Sequence, residues 1–367
     1  ALLNCSALIA CSVSYFVGKE LSFSGRWGAL LLLVGSYSFW EQATTVANNL
    51  IVALALWSAW LSSRCEASTS KSYHSIVFGV LLGAAVSFKP TAVALAAGLW
   101  IVSKGTPKEK MTEFLWASAV LGIWLLRNIV DGLHPLFPYA GWSVPLEFLY
   151  VEQYGLGRDW GAMLSLPWNI VMKAKIHSTQ FMGQLSPIFL CLVPVFVYEF
   201  FQKRFSSLLL LVAIGCSFWA WGPHWIRHLF PAIPFIVFLL FRSISMRYWW
   251  QRLLIVFLFL IGISRNIVPF LDRVIDIRER QEESIPGYKA AQWLNEHTEK
   301  DAQIALLCSW VGAKIDRRIF LGSVGDHTPV RHWFLQYQET AIQELKRNGI
   351  HYILVGPHRF SKEFYPF

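Results

Sequence analysis

Long apolar runs separated by short charged segments make up most of the chain. Many of these runs have about the 20 residues that an α-helix needs to cross the hydrocarbon core of a bilayer. The apolar stretch 75–103 differs because Lys89 and Pro90 interrupt it, and proline disfavours helix in the residue before it. This stretch predicts two helices that meet at Lys89. The other predicted spans are 1–17, 27–45, 46–63, 113–130, 184–201, 206–222, 226–242 and 250–270.

The pattern changes near residue 272, where charged residues become frequent. One predicted helix carries Ala291, Trp293 and Leu294 on one side, and another stops at Gly349, as glycine commonly ends a helix. The order of helix, strand, helix and strand indicates a small α/β domain. The segments are a helix at 288–298, a strand at 303–308, a helix at 339–349 and a strand at 351–356.

Composition supports a membrane interpretation of the apolar part. The chain is 55% hydrophobic and 15% charged, whereas about 25% of the residues in soluble domains are charged. We therefore predict a polytopic α-helical membrane protein, with a bundle of about ten helices at 1–271 and a soluble α/β domain at 272–367. The long loop 131–183 lies between predicted spans, and its segment 166–181 predicts an amphipathic helix on the membrane surface.

Lysine and arginine are unevenly divided between the two sets of predicted loops. One set carries most of the basic residues, whereas the turns of the other set carry only Lys89 and Arg227. The positive-inside rule places the first set in the cytoplasm. Loop 131–183 and the C-terminal domain are then expected outside, in the periplasm of a bacterial inner membrane or its equivalent. The basic set is 18–26, 64–74, 103–112, 202–205 and 242–252.

Charge and cysteine content exclude other interpretations. The net charge of +9 follows this loop asymmetry, so it does not indicate a nucleic-acid partner. The six cysteines include no C-x-x-C pair and predict neither a disulfide framework nor a metal site. In "GDHTPVRHW", 325–333, Asp326, His327 and His332 are more typical of a surface loop than of a metal site.

The stretch "WLLRNIVDGLHPLFPY", 124–139, begins as an apolar helix and ends in polar residues. Arg127, Asn128, Asp131 and His134 follow one another at its end. An arginine that extends to the membrane interface would explain Arg127 alone. Because arginine can hold a phosphate with two hydrogen bonds, the whole group favours an anion site.

Further polar residues fall on the same predicted face. Lys89 lies at the tip of a helical hairpin, where it is either a second cation for a phosphate or a lysine that extends to the interface. Arg227 and His228 begin a helix, and either they bind an anion or they form an interfacial cluster. Glu41 is a less specific candidate for a base or a metal ligand.

Four segments, in this order and on one predicted face, resemble the GT-C superfamily of integral-membrane glycosyltransferases. The bacterial branch related to protein O-mannosyltransferases and the lipid A aminoarabinose transferase is the most similar. The segments are "GKELSFSGRWGALLLLVGSYSFWEQAT", "GVLLGAAVSFKPTAVAL", "WLLRNIVDGLHPLFPY" and "RHLFPAIPFIVFL". The last two resemble the family's helix exit and its proline-containing helix, and the C-terminal tail resembles the small extracytoplasmic domain of many members.

The resemblance implies an activity. Members transfer a sugar from a polyprenyl-phosphate carrier to an acceptor at the outer face, with an aspartate of the first outer loop as base, and some use a divalent metal. It implies that Lys89, Arg127 and Arg227 hold the carrier phosphate. The expected partners are a lipid-linked sugar donor and membrane lipids. The polar residues that we expect to support this site are Asn49, Asn128, Asp131, His134 and His228.

The sequence also departs from the family pattern. Ala1 lies within an apolar run, so we expect the first helix and the catalytic acidic loop to precede it. Asn48 and Asn49 occupy a place where many relatives have an aspartate, and an amide cannot act as a carboxylate base. A non-catalytic scaffold subunit of a larger membrane complex is therefore the alternative hypothesis. A transporter is less favoured because no inverted repeat is visible.

Overall fold

The structure of the chain is a computed structural model, which describes a larger share of residues 1–271 than of residues 272–367. Contacts divide the chain into two units, which are Ala1–Gly132 with Tyr150–Phe270, and Leu133–Leu149 with Leu271–Phe367. The described residues are 21, 23–34, 36, 38–39, 49–64, 71–130, 135, 159–174, 184–202, 206–221, 226–243, 249–267, 287–307, 315–321 and 341–355.

The regular structure that is described in the first unit is helical. The helices are α1 Phe23–Val34, α2 Asn49–Ser62, α3 Lys71–Phe88, α4 Val93–Val102, α5 Pro107–Val130, α6 Trp160–Trp168, α7 Leu192–Phe201, α8 Ser207–Trp221, α9 Ile226–Leu229, α10 Ile233–Ser243 and α11 Trp249–Gly262. Short 3-10 turns at Pro90–Ala92, Pro187–Cys191 and Phe230–Ala232 lead into α4, α7 and α10, and π-helical turns at Asn169–Lys173 and Ile263–Ile267 extend α6 and α11.

One helix among the described residues is long and apolar enough to cross a membrane. This helix is α5, which has 24 residues. Only 11% of its 18-residue apolar stretch is buried. Shorter apolar helices of 10–17 residues surround it in the sequence. The structure therefore shows a mostly helical protein, and the number of membrane crossings stays a prediction.

A close approach between helices aligns α3 with α5. A Cβ atom on Gly79 would meet the backbone carbonyl oxygen of Glu113, and one on Gly83 would meet that of Ala117. The two glycines are four residues apart on α3, so they lie on one face and let the backbones approach closely, as small residues do in membrane helices. Because the contacts advance in the same direction on both helices, α3 and α5 run parallel.

Buried aromatic residues join α2 to α10. Trp57 is fully buried, and its ring centroid lies 4.6 Å from that of Trp60 and 5.4 Å from that of Phe238. Such pairs add about 0.5–1.5 kcal/mol beyond the area that they bury. This packing fixes α2 in the unit, and α2 begins at Asn49, a predicted site residue.

The predicted span 27–45 does not form one continuous helix. α1 ends at Val34, and the chain then pairs with the segment that precedes α7. Ser38 N donates to Gln184 O over 3.2 Å, Gln184 N donates to Ser38 Oγ over 2.9 Å, and Ser186 N donates to Ser36 Oγ over 3.0 Å. These buried serines satisfy backbone donors that a helix would have used internally, and the hydropathy pattern did not reveal that role.

The predicted amphipathic helix 166–181 is wrong in its extent. α6 begins six residues earlier, at Trp160, where the Asp159 side chain accepts a hydrogen bond from Ala162 N over 2.9 Å and caps the helix. The π-helical turn ends at Lys173, and Ala174 leaves helical geometry. The N-cap aspartate was the missed signal, and residues 175–183 lie outside the described part of the chain.

The second unit contains a three-stranded parallel sheet with strand order β2-β1-β3. β1 and β3 lie in predicted strand segments, α12 and α13 lie in predicted helices, and β2 was not predicted. Ala291 and Leu294 of α12 are buried with Ile304, as expected, but Trp293 is 52% exposed and stacks on His297 instead. The elements are α12 Tyr288–His297, β1 Gln303–Leu307, β2 Arg318–Leu321, α13 Ala341–Arg347 and β3 Ile350–Val355.

Candidate functional site

Lys89 lies at the junction between α3 and the turn that begins α4. Its φ of −152° and ψ of 98° are extended, as expected for a residue that precedes a proline. Its backbone N–H still donates to Ala85 O over 3.0 Å, and its carbonyl accepts from Ala92 N over 2.8 Å. Pro90 suits the first position of the following turn because that position needs no N–H donor. The break in the helical hairpin is therefore where the sequence predicted it.

The side chain of Lys89 is buried and joins distant parts of the chain. It is 8% exposed. Its Nζ donates to Asn49 Oδ1 at the start of α2 and to the backbone carbonyl oxygen of Arg227, 3.5 Å away, in α9. A lysine that extends to the interface would keep its ammonium group in water. That explanation therefore does not fit Lys89.

Positive charge accumulates around this ammonium group. The positive charge of the Arg227 side chain repels that of Lys89. Both charges also disfavour a positive charge on the buried ring of His228. We call Asn49, Lys89, Arg227 and His228 the Lys89 cluster. Its hydrogen-bond acceptors for Lys89 are an amide oxygen and a carbonyl oxygen, which are neutral, so they do not cancel the charge. A buried charge is costly unless it is paired, so the cluster favours an anion.

Arg127 lies at the same end of the helical unit as Lys89. α3 and α5 run parallel, and each ends within a few residues of its predicted site residue, α3 at Phe88 and α5 at Val130. Arg127 is exposed there, whereas Asn128 is buried and 6% exposed. The structure therefore brings Lys89 and Arg227 together directly and places Arg127 on a neighbouring helix end.

Several predicted site residues lie outside the described part of the chain. They are Glu41, Asp131 and His134, together with Asn48 and the tail residues Asp326, His327 and His332. Among the described residues, no group of three or more His, Cys, Asp or Glu side chains could hold a metal ion. The metal hypothesis from the family resemblance therefore stays a prediction.

Thr91 is a polar residue at this end that the sequence interpretation passed over. It lies in the turn directly after Lys89 and Pro90, and its hydroxyl is buried without a hydrogen-bond partner among the described residues. The signal was available in "SFKPTA", since a hydroxyl two residues after a buried lysine adds a donor to the same turn. The chain thus provides an ammonium group, a guanidinium group and a hydroxyl close together in sequence or space.

No family model, no curated protein and no solved structure matches the chain.

Proposed function

We propose that the protein is a GT-C-type glycosyltransferase that takes a sugar from a polyprenyl-phosphate carrier at the outer face of a membrane. The observation that carries this proposal is the buried Lys89 ammonium group beside Arg227, whose hydrogen-bond acceptors among the described residues are all neutral. A phosphate is the anion that the resembling family presents to such a site.

Polytopic membrane insertion is part of the same proposal. The long apolar helix α5 is mostly exposed, as expected for a surface that contacts lipid. The large exposed residues of α11, which include Leu253, Phe257 and Leu260, also favour it. In a membrane, an ionisable residue inside the helical unit is a functional candidate because burying it there without a role is costly.

In the proposed reaction, an acceptor oxygen attacks the anomeric carbon of the donor sugar. A new carbon–oxygen bond forms, the bond from the anomeric carbon to the phosphate oxygen breaks, and its electron pair leaves with the polyprenyl phosphate. Lys89 and Arg227, with Arg127 near them, stabilise the charge that develops on this phosphate. The acceptor proton goes to a carboxylate, for which Glu41 is the candidate in this sequence.

Asn49 bears on the alternative function, a scaffold subunit. An aspartate at this position would pair with Lys89 and cancel its charge, whereas the amide accepts a hydrogen bond and leaves the charge available. Asn49 therefore favours anion binding but cannot supply a base. A scaffold that binds a lipid phosphate without transferring a sugar would show the same geometry, so the test must separate binding from transfer.

Binding is tested with purified protein in phosphatidylcholine nanodiscs and polyprenyl phosphate, with polyprenol as the ligand that lacks the phosphate. We expect the phosphate form to bind more tightly, and Lys89→Met to weaken its binding about a hundredfold through the loss of a charge-assisted contact. Lys108→Met is the matched control because Lys108 is exposed at the other end of α5. Equal affinity for the two lipids, or no loss in Lys89→Met, would contradict the proposal.

Transfer is tested with a polyprenyl-phosphate-linked sugar as the donor and the purified protein in nanodiscs. Release of polyprenyl phosphate that depends on Lys89 supports the enzyme. Binding that depends on Lys89 without any release supports the scaffold.

A further inference from the structure

A polar cavity lies at the end of the same helical unit that is opposite the Lys89 cluster. It has a volume of about 680 Å³ and is lined by the end of α2, the start of α3, the link before α5, the start of α8 and the end of α10. α2 begins at Asn49 in the Lys89 cluster, and its last residue, Ser62, lines this cavity. A helix of that length extends over about 20 Å, so the two sites are separate.

Glu113 is the buried acidic group of this cavity, which we call the Glu113 cavity. Glu113 is 5% exposed, and Lys110 Nζ lies 3.5 Å from its Oε2. Lys110 gives hydrogen bonds to Trp100 O and Ser103 Oγ. Glu113 Oε2 accepts no hydrogen bond from any residue that the structure describes, and the buried Ser62 Oγ also has no partner among them. The cavity wall therefore contains a buried acceptor and a buried hydroxyl that are available to a ligand.

The exposed part of the Glu113 cavity is basic. Arg64, Lys104 and Arg242 line it, and each is exposed. Arg64 lies over the Trp60 ring with its guanidinium carbon 4.6 Å from the ring centroid, which restricts its position. Three cations around one opening provide the charge that a phosphate group requires.

The acidic side chain near these cations already has another role. Glu109 Oε2 accepts a hydrogen bond from Thr106 N over 2.7 Å, and Thr106 Oγ1 accepts one from Glu109 N over 3.3 Å. This reciprocal pair is a capping box at the start of α5. Glu109 therefore stabilises the start of α5. Its single negative charge leaves the three cations in excess at this opening.

We propose that the Glu113 cavity binds a phosphate ester that also carries a hydroxyl or ammonium group. The phosphate lies among Arg64, Lys104 and Arg242, and the hydroxyl or ammonium group donates to Glu113 Oε2. The volume falls within the range of about 300–1,000 Å³ that is usual for small-molecule sites. A phospholipid headgroup and a soluble phosphate ester share this chemistry. The inference does not depend on the glycosyltransferase proposal, since it uses different residues at the other end of the unit.

The soluble source is tested by calorimetric titration of the protein in phosphatidylcholine nanodiscs with glycerol 3-phosphate and with inorganic phosphate. We expect glycerol 3-phosphate to bind more tightly because it carries an alcohol hydroxyl apart from its phosphate group, which can donate to Glu113 while the phosphate contacts the cations. We expect Arg242→Met to lower the affinity for both ligands about tenfold. We expect Glu113→Gln to remove the difference in affinity between glycerol 3-phosphate and inorganic phosphate. Arg64→Met repeats the test at a second cation if Arg242→Met does not fold, and Lys108→Met is the control.

The lipid source is tested by native mass spectrometry of protein extracted from nanodiscs that contain phosphatidylcholine with phosphatidylglycerol. Retained phosphatidylglycerol that is lost in Arg242→Met supports the proposal with a lipid as ligand, even if the soluble esters do not bind. Failure of both kinds of ligand to bind, or wild-type binding in both arginine variants, overturns it. Polyprenyl-phosphate binding should be unchanged in Arg242→Met, so failure here does not count against the Lys89 cluster.

Discussion

The two ends of the helical unit bury side chains of opposite charge, and the partners of these two side chains differ. At one end, the Lys89 ammonium group has an amide oxygen and a carbonyl oxygen as hydrogen-bond acceptors, and the positive charge of Arg227 repels it. At the other end, Glu113 lies at ion-pair distance from Lys110, while the remaining cations stay exposed. Because an unpaired buried charge is costly, the Lys89 cluster depends on an anion more than the Glu113 cavity does.

The difference also indicates what each end can do. A buried cluster of fixed cations is suited to stabilising charge that develops during a reaction, because the groups do not need to reorganise. An opening with exposed cations is suited to binding, and its affinity is reduced by solvent and salt. We therefore place the proposed chemistry at the Lys89 cluster and the proposed binding of a phosphate ester at the Glu113 cavity.

The largest expected effect is that of Arg127→Ala on sugar transfer. Because we propose that this exposed arginine lies near the leaving phosphate, its removal should lower the rate about a hundredfold, as the loss of one electrostatic contact to a developing charge commonly does. Binding of glycerol 3-phosphate at the other end should not change. The measurement is the rate of polyprenyl-phosphate release from a lipid-linked sugar in nanodiscs that contain equal amounts of inserted protein. An unchanged rate would remove Arg127 from the site.

Gly83→Ala should lower the stability of the helical unit that carries both ends. Its Cβ would lie 2.5 Å from the Ala117 carbonyl oxygen, so α3 and α5 must separate, at a cost of about 1–3 kcal/mol. Gly122→Ala is the matched control on α5, because nothing lies within 4 Å of its Cβ and alanine favours helix by about 1 kcal/mol. Denaturant unfolding followed by tryptophan fluorescence measures both. Equal stability of the two variants would contradict the close helix approach.

Asn49→Asp should give the Lys89 end a buried lysine–carboxylate pair, as the Glu113 end already has with Lys110. The new carboxylate would pair with Lys89 and cancel its charge, so polyprenyl-phosphate affinity should fall about tenfold. Asn348→Asp adds the same charge at an exposed position in the second unit and should have no effect. Affinity measured in nanodiscs decides the question. Tighter binding in Asn49→Asp would show that Lys89 does not act through its positive charge.

The smallest expected effect is a difference between the two ends in how strongly ionic strength lowers ligand affinity. Raising the salt concentration from about 50 to about 500 mM shortens the Debye length to a few ångströms. Exposed cations are screened more than buried ones, so glycerol 3-phosphate binding should weaken several-fold, whereas polyprenyl-phosphate binding should weaken less. Titrations at both salt concentrations provide the comparison. The reverse order would mean that the assignment of buried and exposed charge is wrong.

Much of the helical arrangement could be predicted because local rules decide it. The interruption at Lys89 follows from a proline after a lysine in an otherwise apolar run, and the strands β1 and β3 are short apolar segments between polar ones. β2 was missed because Arg317 and Arg318 make its start look like a polar link. Its pairing with β1 is a long-range interaction that periodicity does not report. The apolar character of Trp293 predicts burial, yet this residue is exposed, as large aromatic residues often partly are.

The candidate site was predictable in its residue types but not in its contacts. Lys89, Asn49 and Arg227 were each chosen as polar residues on one predicted face, and that rule contains no distances. The hydrogen bonds from Lys89 to Asn49 and Arg227 connect residues 40 and 138 positions apart. The Glu113 cavity was missed for a related reason. Its cations were counted as evidence for orientation, and Glu113 was one charge near the start of a long apolar run.

The central claim is that a lipid phosphate binds at the Lys89 cluster. The most direct test is a cryo-electron microscopy structure of the protein in a nanodisc with polyprenyl phosphate. We predict phosphate density within hydrogen-bond distance of Lys89 Nζ and beside the Arg227 side chain, with the polyprenyl chain leading into lipid at that end. Phosphate density at the Glu113 cavity or elsewhere, with Lys89 still contacting only protein, would contradict the account.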